Sequence, residues 1–287
     1  MKNSSTDPHP LAWDLGRTVL RPAGRPLVMG ILNLTPDSFH APSRVPAVES
    51  ALVAARGMIG AGADILDLGA ESSRPGAEPV DPAAEQDRLL PVLEALRRET
   101  DIPVSVDTVR ATTARAALAA GADAINDISA GLQDADMLPL AASAGCGLAL
   151  MHMQGVPRNM QDNPAYDDVV GAVREFLAQR AQVAIDLGVQ RRRIIVDPGI
   201  GFGKTPQHNL TLLARLGELA EGLPLLLGAS RKRFIGDVTG AEAPDRLPGS
   251  LAAVAAAHSS GAAVVRVHDV AATVQFLQVL QAVSDRA

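Results

Sequence analysis

Val104-Ser105-Val106-Asp107, then a helix-like stretch, then Ala124-Ile125-Asn126-Asp127: a short apolar run ends in a polar residue, and the pattern repeats. The same arrangement extends outward in both directions. Upstream lie Val28-Met29-Gly30-Ile31-Leu32 into Asn33, and Ile65-Leu66-Asp67-Leu68 into Glu71-Ser72-Ser73-Arg74. Downstream come Leu148-Ala149-Leu150-Met151 into His152 and Ile194-Ile195-Val196 into Asp197. Leu225-Leu226-Leu227 into Ser230-Arg231-Lys232, and Val264-Val265 into Arg266 and His268, complete eight. Runs this apolar suit parallel strands covered by helices. Eight of them alternating with helices predict an α/β fold, a (β/α)8 TIM barrel, whose C-terminal strand ends converge on one mouth. A doubly wound open sheet is the second reading.

The intervening segments carry helical spacing: Val48/Leu52/Ile59, Leu89/Val92/Leu93/Leu96 and Val169/Val173/Phe176/Leu177. Gly-Ala-Asp recurs at 62–64 and 121–123, with Gly261-Ala262-Ala263 in the matching place. Each glycine stands where a left-handed residue would end a helix before a strand. The proline-rich stretches 41–46 and 74–82 read as loops. No linker is evident, so residues 11–287 are expected to form one domain after a disordered N-terminus, 1–10. Residues 11–27, around Gly16-Arg17, predict a short hairpin that plugs the barrel's bottom.

Composition narrows the partners. The chain has 287 residues, 47% hydrophobic and 20% charged, enough for a sizeable core. Aromatics are only 2% and the net charge is −6, which argues against nucleic-acid stacking or polyanion surfaces. The single cysteine, Cys146, rules out an intramolecular disulfide and reads as a small core residue. No apolar run reaches the ~18 residues of a membrane span, and Met1 to Pro10 lacks the apolar region of a secretory signal. The expectation is a cytoplasmic protein that handles small molecules.

Asp197-Pro198-Gly199-Ile200-Gly201-Phe202-Gly203-Lys204 resembles two nucleotide motifs and satisfies neither. A Walker A loop needs glycine where Pro198 stands, and a dinucleotide fingerprint needs glycine where Lys204 stands. What remains is a strand-end carboxylate and a glycine-rich loop that lets backbone approach a flat ligand. Phe202 between glycines reads as an exposed aromatic wall, with a hydrophobic plug as the alternative. Asp107 and Asp197 end apolar runs, where unpaired carboxylates are expensive to bury; helix capping is the competing reading for Asp107. Arg231 to Arg233 could be a surface charge run, an account that fits poorly for Arg266 within Ala262 to Val267. Arg266 and His268 alternate and so share a face, in the region where barrels often bind phosphate. His152 has no partner at metal-ligand spacing and reads as a core histidine, and no HExxH or HxH pair suggests zinc.

Taken together these motifs resemble the dihydropteroate synthase family, from about Leu27 to Val270. The resemblance rests on Gly30-Ile31-Leu32-Asn33-Leu34-Thr35-Pro36-Asp37-Ser38-Phe39, Glu71-Ser72-Ser73-Arg74-Pro75-Gly76 and Ser105-Val106-Asp107-Thr108. It continues through Ile125-Asn126-Asp127-Ile128, Leu150-Met151-His152-Met153-Gln154-Gly155, Asp197 to Lys204, Ser230-Arg231-Lys232 and Arg266-Val267-His268-Asp269-Val270. It implies a transferase joining 4-aminobenzoate to 6-hydroxymethyl-7,8-dihydropterin diphosphate with release of pyrophosphate, and a homodimer. By the same resemblance Asp107, Asn126, Asp197 and Lys232 bind the pterin, with Met151 against its ring. Asn33, Arg266 and His268 hold the pyrophosphate, Asn33 together with Mg2+. Ser73, Arg74 and Pro75 form a loop over the site, and Phe39, Gly201, Phe202, Ser230 and Lys232 line the 4-aminobenzoate pocket. Asp107, Lys232, Arg266 and His268 are the implied catalytic groups.

Two positions depart from the family's pattern. His40-Ala41-Pro42-Ser43 replaces a common Ser-Asp-Gly-Gly, removing an acidic residue and a glycine hinge, and Ser73 stands where threonine is common. A pterin-binding methyltransferase and a non-catalytic pterin-binding paralogue are the rival functions.

Overall fold

The computed structural model describes residues 12–35, 44–73, 76–78 and 80–286. The expectations for residues 1–10, for Phe39 and the 40–43 segment, and for Arg74 and Pro75 fall outside the described residues. A hairpin of β1 (Trp13–Asp14) and β2 (Val19–Leu20) comes first. All eight runs then form strands: β3 (Leu27–Asn33), β4 (Ile65–Gly69), β5 (Val104–Asp107) and β6 (Ala124–Asp127), followed by β7 (Gly147–Met151), β8 (Ile194–Asp197), β9 (Leu226–Leu227) and β10 (Val264–Val267).

Their order is β8-β7-β6-β5-β4-β3-β10-β9, all parallel. A single bridge between Val196 and Leu225, with Val196 N–H donating to Pro224 at 3.0 Å, brings β8 beside β9 and rounds the sheet into a barrel. The open doubly wound alternative is thereby set aside. Nine α-helices among the described residues surround it, from α1 (Arg44–Gly60) to α9 (Val270–Ser284). β9 is followed by two of them, α7 (Arg233–Thr239) and α8 (Leu247–Ser259).

The apolar stripes face inward as their spacing predicts. Leu52 of α1, Leu89, Val92, Leu93 and Leu96 of α2 (Pro82–Glu99), and Val173 and Leu177 of α5 (Val169–Asp186) are buried. Proline at the first position of α2 and the Asp81 side chain, which accepts from Ala83 and Ala84 N–H, start that helix. Inside the barrel the strand period of two stacks side chains in layers. The lower layer is apolar: Met29, Ile65, Ala124, Ala149, Ile195, Leu226 and Val264, with Trp13 and Leu15 of the hairpin packed among them. The hairpin therefore closes the bottom, and Trp13 Nε1 donates to the Arg193 carbonyl at 2.8 Å.

The Gly-Ala-Asp repeat has a structural cause. Gly62 and Gly121 take left-handed φ of 92° and 104°, turning the chain out of a helix. Each aspartate that follows clamps the start of the neighbouring strand. Asp64 N–H donates to the Val28 carbonyl while its carboxylate accepts Val28 N–H, both at 2.8 Å, and Asp123 repeats this pairing with Val104 at 2.8 Å.

Candidate active site

One layer above the apolar floor, the same inward positions turn polar. Asp67 of β4, Asp107 of β5, Asn126 of β6, Asp197 of β8 and Arg266 of β10 meet at the mouth. Asp107 lies in register with Asn126 on one side and Gly69 on the other, and Asn33 with Gly69. Arg266 joins the set across the barrel: Nε donates to Asp67 Oδ2 at 2.6 Å and Nη2 to Asp107 Oδ2 at 2.8 Å. Asn126 Nδ2 donates to the same Asp67 oxygen at 3.1 Å. Asp67 Oδ1 is buried with no hydrogen-bond partner among the described residues.

The helix-capping reading of Asp107 does not hold. The residue capping α3 (Ala111–Ala119) is Arg110, which makes no side-chain cap, and Ala111 N–H donates to Asp134 instead. Asp107 is free to face the mouth. Asp197 accepts Gly199 N–H at 2.7 Å, while α6 (Pro206–Ala214) is capped by Thr205. Asp127, beside Asn126, is spent within its own turn on Ser129 and Gly131 N–H.

Beyond β8 the chain passes through Gly199, Gly201 and Gly203 at φ of 64°, 83° and 61°. Only glycine adopts that run without strain. Phe202 is half-buried rather than sealed in the core, which supports the wall over the plug. Lys232 Nζ sits 4.5 Å from the centre of its ring and donates to the Ile200 carbonyl. Ser230 is buried, and its Oγ meets both His268 N–H, at 3.2 Å, and His268 Nδ1, at 3.1 Å. Met151 is buried at the end of β7, in register with Asp197. Arg231 pairs with Asp269, and exposed Arg233 with Asp237 at 3.6 Å, so only Lys232 of that cationic run faces the mouth.

A cleft of about 230 Å3 opens over Asp107, lined also by Glu71, Ser73, Arg110, Ile128 and Val156. Arg110 closes the base of the loop that carries Ser73. It donates to Glu71, to Glu85 at 3.0 Å and to the Val80 carbonyl at 2.7 Å. Glu85, buried in α2, also accepts Thr108 Oγ1 at 2.7 Å, one residue beyond Asp107.

Burial dominates the titration of the site. It pushes the Asp107 carboxyl up to about 7, with Arg266 opposing and Asp67 reinforcing the rise. Burial likewise raises Asp197, against the pull of Lys232. Lys232 falls to about 8 through burial, with Asp197 resisting. Burial opposes the Arg266 charge too, but Asp67 and Asp107 outweigh it and lift its pKa above the ordinary guanidinium value. A pocket of such groups presents donors and acceptors in fixed places at low dielectric, where each interacts strongly with developing charge.

The raised Asp107 carboxyl has a measurable consequence. Its ordinary pKa is 3.8. Between that value and about 7 the folded protein holds a proton that the unfolded chain has released, so stability falls as pH rises through this window. Asp107→Asn should lose that part of the fall. Urea midpoints at pH ~4.5 and pH ~7 measure it, and an undiminished difference in the variant would refute the shift.

His152 is a core residue, as its sequence context suggests. Its ring is buried edge-on against Phe176 at 4.8 Å, and burial first, then Lys204, pushes its pKa down to about 3. Cys146 is buried and its thiol pushed up to about 11, which leaves it inert. Sequence reading does not single out Asp67 of this cluster, nor Lys204, the buried neighbour of His152. The signal for Asp67 was available: a carboxylate inside an apolar run needs a buried partner.

This mouth defines an enzyme-type barrel site in which carboxylates and cations are gathered at the C-terminal strand ends. The pterin binding enzyme family profile matches residues 29–268. A dihydropteroate synthase of Synechocystis is 43% identical over 279 residues, covering 96% of each chain. The structure of Xanthomonas albilineans dihydropteroate synthase with 4-aminobenzoic acid superposes with a TM-score of 0.89 at 45% identity, covering 96% of this chain and 98% of that one. Burkholderia cenocepacia dihydropteroate synthase complexed with 7,8-dihydropteroate gives 0.88 at 46% identity, with coverage of 96% and 98%. The chain belongs to the pterin-binding enzymes and, within them, to the dihydropteroate synthase family.

Proposed function

We propose that this chain condenses 6-hydroxymethyl-7,8-dihydropterin diphosphate with 4-aminobenzoate, giving 7,8-dihydropteroate and pyrophosphate. The observation that carries the reading is the Asp67–Arg266–Asp107 arrangement with Asn126 at one end of the barrel. Asp107, Asn126 and Asp197 offer acceptors, and Asn126 and Lys232 donors, to the edge of a pterin. Met151 packs under its ring. Arg266 and His268 face the diphosphate, and Ser230, hydrogen-bonded to His268, lines the 4-aminobenzoate pocket. Ser73, and by the family's pattern Arg74, Pro75 and Phe39, complete the 4-aminobenzoate side together with Gly201, Phe202 and Lys232.

The chemistry follows from the residue types. The C–O bond to the diphosphate breaks, and pyrophosphate leaves with the electron pair. The electron-rich dihydropterin delocalises the resulting positive charge, which carboxylates such as Asp107 stabilise. The aromatic amine then forms the C–N bond and releases its proton. This needs no strongly activated nucleophile.

Among the described residues no cluster of three or more His, Cys, Asp or Glu could hold a metal. Asn33 nevertheless fits Mg2+ as a single neutral oxygen ligand at a strand end, because Mg2+ keeps most of its waters and binds substrate phosphates. When bound it would neutralise charge on the diphosphate. We further assign residues 11–287 to one pterin-binding domain, a homodimeric assembly and a cytoplasmic location. No helix among the described residues is long and apolar enough to cross a membrane.

The deciding experiment is pyrophosphate release coupled to dihydropteroate formation, with and without Mg2+. Product with both substrates and loss of rate on chelation are expected. Tight pterin-diphosphate binding with no product at saturating 4-aminobenzoate and Mg2+ would favour a non-catalytic binder.

A further inference from the structure

Lys204 is only 2% exposed, yet no step of the reaction above uses it. Its ammonium donates to the carbonyls of Gly199, at 3.0 Å, and Phe202, at 2.9 Å, and faces His152 Nδ1 at 2.9 Å. A fourth contact, to the His152 carbonyl, is 3.4 Å long. An ammonium has three protons and finds three good acceptors, so its donors are satisfied even though burial pushes its pKa down to about 7.

The acceptors explain the placement. Gly199 and Phe202 bracket the glycine loop after β8, and His152 follows β7, so Lys204 ties the loop to the neighbouring strand end. The loop is also pressed there sterically: a Cβ on Gly199 would fall 2.0 Å from the His152 carbonyl oxygen. On the opposite side the intervening Ile200 carbonyl accepts from Lys232, which lies over the Phe202 ring. Two lysines thus hold carbonyls of one loop, Lys204 those of Gly199 and Phe202 and Lys232 that of Ile200. Gln161 Nε2, donating to the Gly201 carbonyl at 2.7 Å, and Asn209 Oδ1, accepting Gly201 N–H at 2.7 Å, fix the residue between them.

We propose that Lys204 is a positioning residue for the amine substrate: by gathering the Gly199 and Phe202 carbonyls against His152, it sets the shelf of Gly201 and Phe202 beside Lys232. This rests on reading Gly201, Phe202 and Lys232 as the wall of the 4-aminobenzoate pocket. On the pterin side, Asp107 and Asn126 stand on β5 and β6 apart from this loop, whereas Asp197 touches it through Gly199 N–H and Lys232 through the Ile200 carbonyl.

Lys204→Met keeps the length of the side chain and removes its donors. Steady-state synthase kinetics, with each substrate varied in turn and the temperature held below the variant's own melting point, provide the test. The KM for 4-aminobenzoate should rise roughly tenfold, the scale of one lost charge-assisted hydrogen bond, while that for pterin diphosphate changes less than about threefold. Two unchanged KM values, or two that rise by the same factor, would overturn the proposal, the latter marking a purely structural role. Phe202→Ala separates it from the underlying reading. If Phe202→Ala leaves the 4-aminobenzoate KM untouched, the wall itself is misassigned. If Phe202→Ala raises it and Lys204→Met does not, Lys204 alone is misassigned. Should Lys204→Met fail to fold, His152→Phe removes one acceptor while keeping a ring against Phe176. A selective rise of about threefold supports the proposal, and no rise overturns it.

Discussion

Asp107→Asn should lower dihydropteroate turnover at least ~100-fold, the scale of removing one preorganised transition-state contact. Shape changes little. The side chain keeps an oxygen that can accept from Arg266 Nη2, and Arg266 retains Asp67 through Nε. What disappears is the negative charge that the carboxyl, pushed up to about 7, carries in its ionised form beside the proposed pterin position as positive charge develops there. Water cannot easily replace that charge, because Asp107 sits beneath the cleft among Asp67, Asn126 and Arg266. Since only charge is lost, the melting temperature should move little compared with the rate. Single-turnover measurements with saturating substrates read the chemical step directly. Near-wild-type turnover in a folded variant would refute the role of that carboxylate.

Much of this site is legible along the chain because a parallel barrel writes it one strand at a time. Asn33, Asp107, Asn126, Asp197, Arg266 and His268 each stand at or just past the end of an apolar run, and strand geometry carries them to one mouth. β9 shows where the pattern thins. Only Leu226 and Leu227 pair as strand, and the next inward position is Gly228, whose missing side chain leaves room for Arg266 and Asp197. Asp67 was hidden for a different reason. It lies inside its run rather than at the end, and its partner Arg266 stands 199 positions away, beyond the reach of periodicity. Lys204 was hidden because the direction of its side chain depends on three consecutive left-handed glycine turns. Spacing located the loop, but only the backbone path shows that its last residue turns back beneath it. Arg231 and Lys232 make the same point in reverse: neighbours in one charge run, one pairs with Asp269 and the other lies over Phe202.

Asp123→Ala, at the other end of the barrel, should unfold the protein far more readily while leaving the chemistry of the folded fraction alone. Asp123 is buried and collects three donors besides its strand clamp on Val104: Arg97 Nη2 at 2.6 Å, and Arg17 Nε and Nη2 at 2.8 and 3.2 Å. Arg17 belongs to the hairpin that plugs the barrel and Arg97 to the end of α2, so one carboxylate joins the plug, a helix and two strands. Truncating it orphans the Val104 N–H and leaves Arg97, whose pKa burial already lowers, without its one anionic hydrogen-bond partner among the described residues. Breaking a buried pair on one side costs ~3–5 kcal/mol, a large share of the ~5–15 kcal/mol that a domain holds in reserve. Arg17 is half-exposed, so its share is the smaller one. Asp64 occupies the matching place in the repeat, but it carries only the partly exposed Arg25, and Asp64→Ala should cost less. Denaturant unfolding gives the loss, and kcat measured well below the melting point should stay within about twofold, because chemistry in this fold belongs to the opposite face. A fall in kcat comparable to that of Asp107→Asn would mean that the two ends of the barrel are coupled. The division of the inward positions into an apolar floor and a polar mouth predicts that they are not.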